Sequence, residues 1–163
     1  MFINLLRFEI KDRLWRLSSL VYFFVYLALT FLLSVTFAGA FKGTSVSFGL
    51  SNKLSLNSPV VLNYLICLVG YFGLLGTAPL FGQSINKDFE NGFSQILFAT
   101  PLTKRTYFFV RYIGSFISSL AILSSIAIGI WLATLMPFVD RTLVGENQIW
   151  FHIAPYVTNV IPN

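Results

Sequence analysis

The chain has 163 residues, a net charge of +5, a hydrophobic fraction of 56% and a charged fraction of only 10%. Soluble domains are roughly 25% charged, so a water-facing surface cannot be assembled from this composition, which excludes an ordinary soluble enzyme or binding domain. The positive charge lies beside apolar runs, where it orients spans and meets anionic head groups, so no nucleic-acid partner is expected.

No charged residue occurs in 17–41, 54–86 or 112–139, runs of 25, 33 and 28 residues. A helix rises ~1.5 Å per residue and needs about 20 residues to cross ~30 Å of hydrocarbon, so each run is long enough to span. The expected fold is therefore an all-α integral membrane protein, forming a single transmembrane domain over 1–163. It comprises an N-terminal interfacial (elbow) helix, three transmembrane helices and the start of a fourth, incomplete span.

Residues 1–16 place Ile3, Leu6, Ile10, Leu14 and Leu17 at intervals of 3, 4, 4 and 3, on one helical stripe. Asn4, Arg7, Lys11, Asp12 and Arg16 point elsewhere. Such a helix lies in the interface plane, its stripe in the acyl boundary and Trp15 at head-group depth. The plainer alternative is the charged flank of the first span. Ala38-Gly39-Ala40 resembles a signal-peptide cleavage site, but an apolar region of 25 residues exceeds the usual ~7–15, which favours an uncleaved anchor.

The first span is expected over 18–41. Residues 42–59, rich in Ser and Asn and closed by Asn57-Ser58-Pro59, suit a loop ending at a helix N-terminus. The second span is expected over 60–85. Within it Gly70, Gly73, Gly76 and Pro79 recur every third position; the proline should kink the helix and the glycines admit a neighbouring backbone. The third span is expected over 107–136, with Gly114, Ser118, Ser125 and Gly129 forming further small-residue packing surfaces. Pro137 should end it, and 138–150 should be a loop. Residues 151–163 are apolar but too few to cross, so they are expected to begin a truncated fourth span.

Catalytic chemistry is absent from this pattern. There is no G-x-x-x-x-G-K-[ST] phosphate loop, no H-E-x-x-H and no C-x-x-C. His152 is the single histidine, Cys67 is the single cysteine, and all six acids lie outside the expected spans. No cofactor, no metal and no enzymatic activity are expected. Counting basic residues sets the topology: eight (Arg7, Lys11, Arg13, Arg16, Lys87, Lys104, Arg105, Arg111) flank one side and three (Lys42, Lys53, Arg141) the other. The N-terminus and the 86–106 loop are thus expected in the cytoplasm and the C-terminal end outside, in the plasma (inner) membrane.

Within that loop, Asp88 and Glu90 precede apolar groups at Phe89, Phe93, Ile96 and Leu97, which share one helical face; Thr100-Pro101 should end the helix. The run Glu90-Asn91-Gly92, Gln95-Ile96-Leu97, Ala99-Thr100-Pro101-Leu102-Thr103-Lys104 and Arg111 resembles the loop of type-2 ABC exporter permeases. There an acidic-Gly-Thr motif leads into Leu-x-x-Thr-Pro-x-(Ser/Thr)-(Lys/Arg), and a Gly-Lys pair opens the next helix. This chain has Phe93 in place of the threonine and Val110-Arg111 in place of Gly-Lys.

The resemblance implies a permease component of an ATP-driven exporter, covering the first half of a six-span unit. It implies that Asp88, Phe89, Glu90, Gly92, Phe93, Gln95, Ile96 and Leu97 belong to a coupling helix seated on a separate ABC ATPase subunit. Further implied partners are a second permease half or a second copy, and the lipid bilayer. ATP hydrolysis would belong to the ATPase, and some family members carry a fused zinc aminopeptidase further along. The competing expectation is a small integral-membrane adaptor or immunity-like protein acting by helix packing.

Overall fold

A computed structural model describes residues 2–40, 55–90, 103–139, 141–146 and 148–162. Every regular element among the described residues is helical: α1 (Phe2–Leu14), α2 (Leu17–Phe37), α3 (Pro59–Glu90), α4 (Lys104–Thr134) and α5 (Ile149–Pro155), which runs into a π-helical turn, Tyr156–Val160. Three of these helices, α2, α3 over Pro59–Pro79, and α4, are long and apolar enough to cross a membrane. The chain is a helical membrane protein.

Helix ends follow local chemistry rather than the limits of the apolar runs. Gly39 adopts φ +72°. Its N–H reaches the Thr36 carbonyl, and the Ala40 N–H reaches that of Val35. This paired closure around a left-handed glycine ends α2 at Phe37, four residues before the expected limit of 41. At the start of α3, Ser58 accepts from the Val61 N–H at 3.3 Å and Pro59 takes the first helical position. Thr103 caps α4 in the same way, accepting from the Thr106 N–H at 3.3 Å, so α4 begins three residues earlier than expected.

The helix that carries the second span runs on past residue 85. Residues 86–90, placed by their polarity in a loop, continue α3 to Glu90. Polar residues do not break a helix, and Gly92 is the next helix-weakening residue beyond Pro79 and Gly82. Helix α3 also passes through Pro79 without ending.

The chain divides into two compact units: one of Met1–Tyr22 with Leu74–Ile122, the other of Phe23–Gly73 with Leu123–Asn163. In the second unit the largest fully buried side chains are aliphatic, Leu62, Leu65, Ile66, Ile126 and Ile130 among them. The Tyr26 hydroxyl donates to the Phe72 carbonyl at 3.1 Å. Several hydroxyls along the spans are satisfied by their own helix: Thr30 donates to the Tyr26 carbonyl at 2.6 Å and Ser118 to that of Gly114 at 2.8 Å. Hydrocarbon offers no alternative partner, so this back-bonding lets polar residues sit inside an apolar bundle.

The small-residue positions separate into two kinds. A Cβ at Gly129 would lie 2.9 Å from the Leu27 carbonyl oxygen and 3.1 Å from the Thr30 Cβ, so the backbones of α2 and α4 approach closely there. A Cβ at Gly73 would lie 2.6 Å from Leu123 Cδ2, the mobile end of a side chain. Ser125 and Gly76 are buried. At Gly70 a Cβ meets nothing within 4 Å.

Gly129→Ala is therefore expected to destabilise the fold by about 1–3 kcal/mol through overpacking against a backbone that cannot yield. Gly70→Ala should be neutral, or stabilising by up to about 1 kcal/mol, from helix propensity alone. Thermal unfolding of both variants in detergent checks the contrast, and a Gly129→Ala protein as stable as Gly70→Ala contradicts the close approach.

Candidate functional site

The charged residues that the first unit buries come from its two ends. Glu9 and Arg13, one turn apart on α1, are 7% and 6% exposed. The Glu9 carboxylate accepts from Arg13 Nε through Oε1 and from Arg111 Nη1 through Oε2, the latter at 2.5 Å. Arg13 Nη1 also donates to Ser115 Oγ at 2.5 Å, and that hydroxyl donates to the Arg111 carbonyl at 2.7 Å. The Arg111 guanidinium lies 5.6 Å from the centre of the Tyr107 ring. One carboxylate thus bridges two guanidiniums whose positions in the chain are 98 residues apart.

Gly114 makes room for it. A Cβ at that position would lie 2.7 Å from Glu9 Cγ, so only glycine lets the acid lie flat against α4. The close neighbour at Gly114 is a charged side chain of α1. A charge pair at this burial depends on its hydrogen bonds, because each ion has surrendered most of its water.

Sequence periodicity turns the apolar stripe of α1 toward lipid and assigns no role to its other face. The apolar stripe is half-buried at Leu6, Ile10 and Leu14 and exposed at Ile3 and Leu17, 76% and 78% respectively. The face turned into the unit carries Glu9 and Arg13, which had no assigned role. Two signals for it exist in the sequence: an acid and an arginine four apart on α1, and arginine, glycine and serine at 111, 114 and 115 on α4.

The residues expected to couple to an ATPase precede α4 in the chain. Asp88, Phe89 and Glu90 form the last turn of α3, with the Glu90 side chain exposed. The side chains of Asp88 and Phe89 lie outside the described residues, as do Gly92, Phe93, Gln95, Ile96 and Leu97 entirely. The end of α3, the start of α4 and all of α1 belong to one compact unit.

Compared with known protein families, curated proteins and solved structures, the chain matches none.

Proposed function

We propose that the chain is the membrane-spanning permease component of an ATP-driven exporter, worked by a separate ABC ATPase seated on the segment between α3 and α4. The residue order of that segment carries the proposal. Glu90-Asn91-Gly92, Gln95-Ile96-Leu97 and Thr100-Pro101-Leu102-Thr103-Lys104 stand between two long apolar helices, as in type-2 ABC exporter permeases.

The geometry of the first unit supports the same function. Force applied to the 91–103 segment reaches the base of α4, and Glu9 ties that base to α1. Helix α1 is then the elbow: Ile3, Phe8 and Trp15 are exposed apolar groups suited to the head-group boundary. In this arrangement α5 and its π-helical turn begin a fourth span, and a second permease half or a second copy completes the translocation path. The protein resides in the inner membrane with its N-terminus and the 86–106 region cytoplasmic.

Orientation is tested with single cysteines introduced as Lys11→Cys, Lys53→Cys and Lys104→Cys in a Cys67→Ser background. Eight of eleven basic residues flank the proposed cytoplasmic side, so an impermeant thiol reagent should label only the Lys53→Cys protein in intact cells. Labelling of either of the other two overturns the arrangement. The ATPase is sought by affinity purification of the tagged full chain from native membranes, and recovery of a P-loop ATPase in stoichiometric amount is the expected result.

A further inference from the structure

In the second unit, the end of α4 and the approach to α3 enclose a cleft of about 270 Å³, lined by Asn57, Thr134, Leu135, Arg141, Val144 and Gly145. Its walls are held together by backbone and side-chain bonds. The Leu56 N–H donates to the Leu143 carbonyl at 2.6 Å, and Asn57 Nδ2 donates to the Gly145 carbonyl at 3.1 Å.

Asn57 is 2% exposed. Because its NH₂ group is committed to Gly145, the other amide atom is fixed as oxygen, and this Oδ1 has no hydrogen-bond partner among the described residues. A buried carbonyl oxygen without a donor is costly, and native structures rarely leave one so. Arg141, exposed at the same cleft, enters none of the ion pairs formed among the described residues. Thr134 is the last residue of α4, where the carbonyls of the final turn and the helix dipole present negative potential. Its hydroxyl hydrogen is used by the Trp131 carbonyl at 2.7 Å, which leaves the oxygen as an acceptor.

The cleft therefore offers acceptors and a negative helix end on one wall and a guanidinium on another. A matching ligand carries an N–H-bearing cation joined by a short linker to an anion. Depth narrows the choice. The uncharged run containing α4 ends at Val139, and the run containing α3 begins at Leu54, so the cleft lies where hydrocarbon gives way to head groups. Trp131 and Leu135, both exposed, mark the same boundary.

We infer that this cleft binds a phosphoethanolamine group. Its ammonium donates to Asn57 Oδ1 and faces the C-terminal end of α4, while its phosphate pairs with Arg141. Phosphocholine carries the same charges but no N–H, so it leaves Asn57 Oδ1 unsatisfied. Phosphoglycerol supplies hydroxyl donors but no cation. The site rests on membrane insertion and the geometry of the second unit, independently of the exporter proposal.

The test uses the full chain, purified in detergent and exposed to phosphatidylethanolamine, phosphatidylcholine or phosphatidylglycerol of identical acyl chains, with retention read by native mass spectrometry. Loss of a charge-assisted hydrogen bond is worth roughly tenfold or more in affinity, so phosphatidylethanolamine should be retained about tenfold better than the other two. Arg141→Ala should lower that retention about tenfold, and Asn57→Ala should remove the discrimination against phosphatidylcholine. Lys11→Ala, an exposed cation of the first unit, should change nothing. If Asn57→Ala fails to fold by circular dichroism, the exposed Arg141→Ala still decides.

Soluble phosphoethanolamine is added as a competitor. Displacement at concentrations equal to the lipid supports the site with a soluble source for the group; resistance to a large excess supports it with a lipid source. Equal retention of all three lipids, preference for phosphatidylglycerol, or indifference to Arg141→Ala overturns the proposal.

Discussion

Glu9→Gln is expected to release α1 from the first unit, lowering stability by about 3–5 kcal/mol, the usual result of breaking a buried ion pair from one side. The carboxylate is shared by Arg13 and Arg111. A neutral amide keeps the shape but leaves two guanidiniums facing each other with no anion between them. Asp12→Asn provides the contrast. Asp12 pairs with Arg16 at 2.5 Å, but both side chains are nearly half exposed, and such surface pairs contribute roughly 0–1 kcal/mol.

Replacing all three charges at once, Glu9→Leu with Arg13→Met and Arg111→Met, should recover much of the loss, since well-packed apolar groups often substitute for a buried ionic cluster without penalty. Thermal unfolding and limited proteolysis of α1 in detergent measure the series. If Glu9→Gln costs no more than Asp12→Asn, the carboxylate is solvated and does not hold α1.

The three spans were legible because hydrocarbon imposes a demand that composition alone reveals: long runs without charge. Their ends were less legible. The apolar run continues through Ala38, Gly39 and Ala40, and nothing in hydropathy marks where the backbone turns left-handed. Gly39 is the signal, although it lies inside the uncharged run. At the other end, Asn86, Lys87, Asp88 and Glu90 are polar yet helical, since polarity limits membrane depth and not helix formation.

The charge cluster was missed for a related reason. An amphipathic pattern identifies two faces of α1 but not what lies against each. For a soluble protein the apolar face turns inward. In a membrane protein lipid accepts that face, and the protein interior is left free to take Glu9 and Arg13. The decisive residues, Arg111, Gly114 and Ser115, lie about a hundred positions away, where local periodicity carries no information. The coupling segment stands differently, for its pattern is visible only in the sequence, and the described residues stop on either side of it at Glu90 and Thr103.

That segment is where function is tested most directly. Phe93→Asp is expected to detach the ATPase, reducing its co-purification with the full chain by roughly tenfold to a hundredfold. Burying a large apolar side chain is worth about 1.5–3 kcal/mol, and each 1.4 kcal/mol is tenfold in affinity. A carboxylate placed in the same groove must also give up its water. Glu90→Ala should be mild, less than about fivefold, because Glu90 is exposed at the end of α3 and a rim ion pair contributes under ~1 kcal/mol.

The order of the two effects matters more than their sizes. An apolar seat makes Phe93 dominant, whereas a purely electrostatic tether makes Glu90 dominant and both effects sensitive to salt. The assays are ATPase recovery with each variant and transport-stimulated ATP hydrolysis by the reconstituted complex. Membrane insertion is checked separately by the labelling of Lys53→Cys. If Phe93→Asp inserts normally and leaves ATPase recovery and hydrolysis unchanged, the segment between α3 and α4 is a connector, and the exporter proposal loses the observation on which it stands.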